Sequence, residues 1–577
     1  MTNEHNTPAP KPAVEPPEPA PDTGSTDRAR RREAALRRLE RTSLSKRTAA
    51  VLGLGTAAAV SAITVAGSLW SPTPPAMDTA ARAAELPATP VVGVCPGAPA
   101  LPEGAGSNED LDFSPLSSDA ATALTVTAGS DLAGNIPGIS YFAATPGTDG
   151  PGSAQDITEP LDEELQQGPP ATAATDGTVR QLAHYDAITD PSQDGQPVAL
   201  AVEPVGGNPG LAAATAQYAA TDGDLAGMTT GACTPAAHQH WLTGAITTTG
   251  TTAVLSITNP SATNSTVDLA VFGDAGRIEA SGASGIVLAP GQTTSMLVAG
   301  LAPRQESVAI EVSTSGGPVA ASIQQHRLDG IVPAGVDTLQ PAATGTNVVV
   351  PGIVIDDDAA AISEGSGLDG QTPQLHIAST GAAASATISL RGPDGPVDIP
   401  AEASAVELAP GATTTVDLTG VEPGTYAVAI ESDANILASA TSLAFNPAAD
   451  NDDATGNTAA VDTAYQSATR PIRGETMVAL PALGSPASQL VLSSDADATV
   501  NVTPINADGD VGETREQEIA ANSAVTVTDD AATAYLIETG SSSVHAGVVT
   551  TSDAGISAMP VNTVTATGSG LPVRLGY

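Results

Sequence analysis

The sequence predicts an all-β protein, in which tandem immunoglobulin-like β-sandwich repeats follow one N-terminal transmembrane helix. Three observations support this prediction. The chain aligns with itself three times, its apolar residues alternate with polar ones over short stretches, and one uncharged apolar segment lies near the N-terminus. Aromatic residues are only 2% of the 577 residues, whereas 57 glycines and 47 prolines supply turns. This composition suits many short strands rather than long helices.

The uncharged segment is residues 48–70, and it is long enough to cross a bilayer as a helix. At about 1.5 Å per residue it spans a hydrocarbon core of roughly 30 Å. Ten of the 20 basic residues precede it, which predicts a cytoplasmic N-terminus and an extracytoplasmic C-terminal part. The alternative is a secreted protein with a cleaved signal peptide, cut near Ala81-Arg82-Ala83. We favour the uncleaved anchor because Ala81 lies well beyond the apolar run.

These features predict seven segments along the chain. They are a disordered cytoplasmic tail with a basic segment (1–47), the transmembrane helix (48–70), a Pro/Ala linker (71–90), an irregular β domain closed by a disulfide (91–237), and three β-sandwich repeats (238–346, 347–470 and 471–577).

The part of the chain after the tail is strongly acidic. Residues 48–577 hold 10 Arg and 57 Asp+Glu, and no lysine follows Lys46. Such a surface repels nucleic acid and attracts cations. We therefore expect no nucleic-acid partner.

The three copies share the order of their strands and turns. They run from Val254 to Ile323, from Leu375 to Leu443 and, more weakly, from Leu490 to Val549. One more apolar strand precedes each copy, at 238–246, 347–355 and 476–483. Turns at this spacing are typical of an immunoglobulin-like sandwich. Eight strands per repeat also fit the alternative, a β-propeller built from paired blades.

The alignment predicts a register that burial can test. Leu288-Ala289-Pro290-Gly291 recurs as 408–411, so Leu288 and Leu408 should end equivalent strands, with Ile519 at a similar place. Side chains two apart share a face of a strand. The predicted inward residues are Leu255, Ile257, Leu269, Val271, Val308 and Ile310 in the first copy, and Leu375, Ile377, Ile388, Leu390, Val428 and Ile430 in the second.

Short motifs resemble those of a known family. Cys95-Pro96-Gly97 stands just beyond a single span, the sequence GACTP (231–235) precedes Trp241, and an L-x-I-x-N-P motif occupies 255–260. In these motifs the chain resembles an uncharacterised family of actinobacterial single-pass, membrane-anchored extracytoplasmic proteins. The resemblance implies a location and names no catalytic residue.

Cys95 and Cys233 are the only cysteines, and both follow the predicted span. An even pair in an oxidising compartment predicts one disulfide that closes the first domain. Two cysteines alone cannot form a cysteine-based zinc site.

Metal sites are weakly indicated. His238 and His240 share one strand face but lack a third ligand nearby, so we expect them to flank Trp241 at a domain seam. The acidic runs 356–358 and 450–453 are candidate calcium ligands, although neither has the spacing of a helical calcium loop. We expect no cofactor.

The sequence also lacks hydrolase and phosphate-binding signatures: G-x-S-x-G and GxxxxGK do not occur. It therefore predicts a non-enzymatic scaffold or binding protein of the bacterial envelope, whose partner is a protein or a cell-wall polymer. The alternative is a glycan-processing hydrolase with its site in the 95–233 segment.

Overall fold

The computed structural model describes residues 83–84, 90–101, 115–130, 136–146, 154–160, 181–185, 195–205, 210–356, 372–445, 461–484, 486–561 and 571–572. Within these ranges the helical elements are one turn, α1 (Val298–Leu301), and a 3-10 turn (Ala401–Ala403). No helix in the described ranges is long and apolar enough to cross a membrane. The predicted span at 48–70, the tail before it and most of the linker lie outside them.

Strands make up almost all of the remaining regular structure; most are short, as the composition predicted, but β27 has 22 residues and β34 has 19. In chain order they are β1 (Ala83–Ala84), β2 (Val91–Cys95), β3 (Ala121–Ser130), β4 (Ile139–Ala143), β5 (Thr145–Pro146), β6 (Gln155–Asp156), β7 (Gln181–Tyr185), β8 (Val198–Val202), β9 (Leu211–Ala220), β10 (Gly227–Ala232), β11 (Thr234–Pro235), β12 (Gln239–Ala245), β13 (Thr251–Thr258), β14 (Ser265–Gly273), β15 (Gly276–Ile278), β16 (Ile286–Leu288), β17 (Gln292–Leu297) and β18 (Val308–Gly316). They continue as β19 (Ala320–Asp329), β20 (Val332–Leu339), β21 (Thr344–Ile355), β22 (Gln374–Ser379), β23 (Ala384–Gly392), β24 (Gly395–Val397), β25 (Ala405–Leu408), β26 (Thr413–Asp417), β27 (Gly424–Phe445), β28 (Val461–Ser467), β29 (Ile472–Ala479), β30 (Ala487–Ser494), β31 (Ala498–Ile505), β32 (Arg515–Ile519), β33 (Ser523–Val527), β34 (Ala534–Ser552), β35 (Gly555–Pro560) and β36 (Leu571–Pro572).

The chain divides into two compact units, and the larger, residues 83–571, contains β2–β35. Four consecutive segments of this unit each form two sheets. We call them the N-terminal module (β2–β11), the first repeat (β12–β20), the second repeat (β21–β28) and the third repeat (β29–β35).

In each segment, one of the two sheets has an edge strand near the C-terminal end of the segment. These edge strands are β10, β20, β28 and β35. We call them the axial strands, and the sheets that contain them the axial sheets. The axial sheets have the orders β10-β9-β3-β7, β20-β19-β13-β17-β5, β28-β27-β22-β26 and β35-β34-β30-β33, so that β5 of the N-terminal module completes the sheet of the first repeat. The second sheets have the orders β11-β2-β8-β4-β6, β12-β18-β14-β15, β21-β27-β23-β24 and β29-β34-β31-β32.

Long strands join the two sheets of a repeat. β27 pairs with β21 and β23 through its first half and with β22 and β28 through its second half. β34 does the same in the third repeat. In the first repeat the equivalent path is interrupted between β18 and β19, where Gly316 has a φ of +92°.

The predicted register of the repeats is confirmed. Leu288, Leu408 and Ile519 are buried strand ends, and they pair with Ser265, Ala384 and Ala498 at the start of equivalent strands. All twelve predicted inward residues are buried.

The turn that follows this position is also equivalent in the three repeats. Gly291 and Gly411 have φ values of +72° and +65°, and Asn522 takes the same left-handed conformation at +58° in the third repeat. Asn is the non-glycine residue that best tolerates this conformation. The weaker third copy therefore keeps the turn without keeping the Pro-Gly sequence.

Each pair of sheets encloses a core of Val, Ile and Leu. The contacts of the second repeat with the first and third repeats are different, because they are rich in alanine. Ala309 of the first repeat meets Ala378 of the second, and Ala427 and Ala429 of the second repeat meet Ala524 of the third. Small side chains let neighbouring sheets approach closely, which explains a chain rich in alanine and poor in aromatic residues.

The stacking continues until the ring is closed. The second sheet of the third repeat packs on the N-terminal module through Leu536 and Leu211, and the second sheet of the N-terminal module packs on the first repeat through Ala199 and Ala320. The sheets therefore have a propeller-like arrangement. This supports the alternative of paired blades, and the immunoglobulin-like description of a single repeat stays a prediction.

Candidate binding site at the axis

The four axial strands are neighbours around the centre of the ring, and their residues are almost all buried. They share a short pattern, a small residue, an apolar residue and then Thr, Asp or Ser. It reads Gly227-Met228-Thr229, Gly335-Val336-Asp337, Ala460-Val461-Asp462 and Gly555-Ile556-Ser557. The N-terminal module, which the sequence indicated only as an irregular β domain, thus contributes a fourth axial strand.

One carboxylate connects all four axial strands. Asp462 accepts hydrogen bonds from the backbone N–H groups of Val336 (3.1 Å) and Thr463 (2.9 Å) at Oδ1, and of Met228 (3.1 Å) and Ile556 (2.9 Å) at Oδ2. Edge strands at the axis have unpaired N–H groups, and a buried N–H needs an acceptor. Asp462 supplies that acceptor for β10, β20 and β35 as well as for its own strand.

Two glycines make room for this carboxylate. A Cβ atom on Gly555 would lie 1.9 Å from Asp462 Oδ2, and one on Gly227 would lie 2.6 Å from Oδ1. Both glycines have positive φ values, +147° and +141°. The glycines at 227 and 555 are therefore required by the approach of the Asp462 side chain.

A second buried carboxylate, Asp337, extends the network. The Ser557 hydroxyl donates to its Oδ1 at 2.8 Å, and the Tyr465 N–H donates to its Oδ2 at 2.7 Å. Ser557 in turn accepts the N–H of Thr230 at 2.7 Å. Asp337 thus links the other three segments to the first repeat.

Burial dominates the ionisation of both acids. It raises the pKa of Asp462 to about 7, although its four N–H partners lower it. Burial also raises the pKa of Asp337 well above its usual value, and the negative charge of Asp462 raises it further. The axis therefore contains two carboxyl groups that retain protons at pH values where exposed carboxyl groups have lost them.

A groove of about 210 Å³ opens where the axial strands end. Thr234 follows β10, Pro341 follows β20, Ala468 follows β28 and Val561 follows β35, and all four line the groove. At about 3.3 Å per residue, Ala468 lies roughly 20 Å along the strand from Asp462. The groove is therefore at the opposite end of the axial strands from Asp462, and all four segments build it.

Main-chain hydrogen bonds fix the rim of the groove. The Ala342 N–H donates to Trp241 O (2.8 Å), the Ala343 N–H to Ala468 O (2.8 Å), and the Val561 N–H to Ala546 O (3.1 Å). The Ala343–Ala468 bond ties the exit of the first repeat to the second repeat, whereas the other two bonds hold the exits of β20 and β35 against their own repeats.

Trp241 and Arg470 are the side chains with the most binding chemistry in the groove. The half-buried Trp241 ring stacks on Phe272, with ring centroids 5.6 Å apart. Arg470 is exposed and, within the described residues, has no ion-pair partner. An indole and a guanidinium therefore line the same groove.

His240, which also lines the groove, has a structural role. Its Nε2 is 2.7 Å from Val319 O, and its side chain is buried. Burial lowers its pKa, and the charge of Arg470 lowers it further. His240 and Trp241 line the groove together, whereas His238 is exposed and does not line it.

The cysteine pair lies at disulfide distance in the N-terminal module. Cys95 and Cys233 form a bridge with their Cα atoms 3.9 Å apart, and both are buried among the residues between its two sheets. The cavity next to Cys95 measures about 20 Å³, which is room for about one water molecule.

The calcium candidates are mostly outside the described residues. Of the two acidic runs, only Asp356 is described. Among the described residues, no group of three or more His, Cys, Asp or Glu side chains is placed to hold a metal ion.

Sequence reasoning missed Arg470 and the axial acids. The pattern Val-Asp-Thr occurs at 336–338 and again at 461–463, each time shortly before a repeat boundary. That recurrence, together with the charged Asp inside an otherwise apolar strand, was the available signal.

The fold and the groove define an all-β protein with a propeller-like arrangement of sheets and a candidate binding site at its axis. The chain belongs to DUF5719, a family of unknown function, which matches residues 188–529. No curated protein matches the chain. A solved structure titled "Biofilm associated protein - BSP domain" is similar at 10% identity, over 83% of this chain and 96% of that one, with a TM-score of 0.11.

Proposed function

We propose that this chain is a non-enzymatic scaffold or binding protein of the bacterial cell envelope and that it receives its partner at the axial groove. The observation that carries the proposal is the assembly of this groove from all four segments, with Trp241 and Arg470 in its lining; among the described residues Arg470 has no ion-pair partner. A site built by several segments is held rigidly only when the ring is complete, and a rigid site lowers the cost of ordering on binding.

We also propose that the protein is anchored by residues 48–70, with the ring outside the cytoplasmic membrane. The basic residues before the apolar segment and the bridged cysteines support this topology. In that location the chain would share the anchoring of the actinobacterial proteins that it resembles, and each repeat would be an immunoglobulin-like unit that contributes two blades. Extracellular protease should leave a membrane-bound fragment of about the first 70 residues. A mature form that starts near Ala84 in the medium would contradict the anchor.

Nothing in the described part of the 95–233 segment favours the hydrolase alternative. The proposal that the protein is not an enzyme is supported by the sequence, in which G-x-S-x-G and GxxxxGK do not occur.

Crosslinking followed by pull-down of the tagged full-length protein from its own membranes tests the proposed function. Arg470→Gln removes the charge from the groove, whereas Arg473→Gln removes another exposed charge, three residues away, that does not line it. We expect one reproducible set of partners for the wild type and for Arg473→Gln, and its loss in Arg470→Gln. The same partners in all three samples would contradict the axial groove as the binding site.

A further inference from the structure

We propose that the axial groove binds a carboxylate-bearing sugar unit of an acidic cell-wall polysaccharide, with Arg470 on the carboxylate and the Trp241 ring under the sugar. This inference rests on the proposed function and names its ligand. It starts from the charge of Arg470, which is exposed, lines the groove and has no ion pair in the described part of the chain. An unpaired guanidinium is the preferred partner of a planar carboxylate, because it can donate two parallel hydrogen bonds.

The aromatic component comes from Trp241. Phe272 supports the ring at a centroid distance of 5.6 Å and an interplanar angle of 28°, which fixes the orientation of the indole. A fixed aromatic surface with polar groups around it suits a ligand that has both C–H and O–H faces, as a pyranose ring does. Polar groups at the rim of the groove come from Thr234, Gln239 and Thr344, and the Gln239 amide also donates to Glu311 Oε1 at 2.5 Å.

A peptide fits the groove less well than a sugar does. Peptides commonly bind by adding a strand to an open sheet edge or by inserting apolar side chains into pockets. At this rim the N–H groups of Ala342, Ala343 and Val561 already have backbone acceptors. Much of the lining is Ala, Pro and Thr, without a large aliphatic residue around a deep apolar pocket.

The charge of the chain also favours an acidic sugar over a neutral one as the ligand of the groove. The chain has a net charge of −44, so most of its surface repels a polyanion. A polyanion is attracted only to a basic side chain that is not neutralised by an acidic partner. Arg470 provides that side chain within the groove. Binding should therefore weaken as salt rises, because the attraction to a partly exposed guanidinium is screened.

The test compares cellobiouronic acid with cellobiose, which have the same framework and differ by a carboxylate in place of a hydroxymethyl group. Binding to the full-length protein with Trp70→Phe is followed by fluorescence, so that Trp241 is the only emitter. We expect cellobiouronic acid to bind about tenfold or more tightly than cellobiose, as a charged hydrogen-bonded pair would give. Arg470→Gln should abolish this preference, and Arg473→Gln should retain it.

Three results would overturn the assignment: equal affinity for the two sugars, binding of neither, or tighter binding of acetyl-Ala-Ala, a peptide with a free carboxylate. The pull-down separates these failures from a failure of the proposed function. If Arg470-dependent partners are still captured, the groove is a binding site and only its ligand class is wrong.

Discussion

At the scale of single residues, buried polar groups at the axis set requirements that the hydrophobic pattern does not express. Asp462 accepts four backbone hydrogen bonds from residues up to 234 positions away in sequence. A local sequence pattern cannot predict hydrogen-bond partners that are so distant in sequence. The alternation of apolar residues identified the buried leucines and isoleucines, because side-chain direction in a strand is a local property. It could not assign a role to an Asp within an axial strand.

The raised pKa values predict an unusual dependence of stability on pH. A carboxyl group with a pKa of about 3.8 when unfolded and about 7 when folded retains a proton in the folded state between these values. Its stabilising contribution is complete below pH 3.8 and is lost as pH rises through 7. We expect the free energy of unfolding to fall between pH 5 and pH 8, measured by urea denaturation of the full-length protein.

Asp462→Asn isolates this effect from the general repulsion among the acidic residues. The amide cannot ionise, so the variant should show a clearly smaller loss of stability between the two pH values. Asp394→Asn, at an exposed hairpin turn, should keep the wild-type slope. Equal slopes in all three proteins would show that Asp462 does not titrate in this range.

Substitution of an axial glycine can distinguish a steric clash of the new methyl group from the strain of the backbone conformation. In Gly555→Ala the new methyl group would lie 1.9 Å from Asp462 Oδ2, whereas in Gly381→Ala it would meet nothing within 4 Å. The two glycines have nearly the same φ, +147° and +143°. Both variants should lose stability from strain, and Gly555→Ala should lose about 1–3 kcal/mol more because of the clash. Equal losses in thermal or urea unfolding would mean that the axis has room for the methyl group.

At the scale of elements, the strands and their register were the most predictable part of the molecule. Leu288 and Leu408 were predicted from one repeated tetrapeptide, and both are buried at the same pairing position. The repeated turn survives in the third copy with Asn522 in place of glycine, so sequence identity weakened faster than backbone conformation. The N-terminal module was harder to interpret, because its strands are separated by long acidic and Gly-rich segments.

Equivalent positions should have equivalent energetic roles. Leu288→Ala and Leu408→Ala each remove a buried side chain, so each should lower the free energy of unfolding by about 3 kcal/mol. Val287→Ala, at a neighbouring side chain that is 62% exposed, should change it by less than about 1 kcal/mol. Urea denaturation checks all three. A small effect at only one of the two leucines would mean that the repeats are not energetically equivalent there.

At the scale of the whole molecule, closure of the ring could not be predicted from the repeats alone. Alanines are prominent in the interfaces of the second repeat with the first and third repeats, as at Ala378, Ala429 and Ala524, and they alternate in the sequence as ordinary strand residues do. The periodicity identifies a buried face but does not say which sheet covers it. For that reason the sequence left sandwich and propeller open, and it gave no site at the axis that only the assembled ring creates. Trp241 was noted at a seam, but its position beside Arg470 depends on segments that are more than 200 residues apart.

Closure predicts that the four segments fold as one cooperative unit. Removing residues 471–577 would expose Val349 and Ala427 of the second repeat and Leu211 of the N-terminal module, and it would remove Ile556 from the carboxylate of Asp462. We expect the truncated chain to lose its sharp thermal transition and to aggregate, because an alanine-lined sheet face that becomes exposed is a surface for association. Independent repeats would instead leave the remaining segments with an unchanged transition temperature.

The matched control for the truncation is a chain that is cleaved once by a protease and still contains every sheet. A protease site placed within residues 446–460, between β27 and β28, divides the second repeat after the protein has folded. β28 should stay paired with β27, since residues 439–445 hydrogen-bond to residues 461–467 and the closed ring holds both fragments. The two fragments should therefore elute together in gel filtration and unfold in one calorimetric transition. If the fragments separate without denaturant, the continuity of the chain rather than the closed ring holds the segments together, and the axial groove is then not a rigid site.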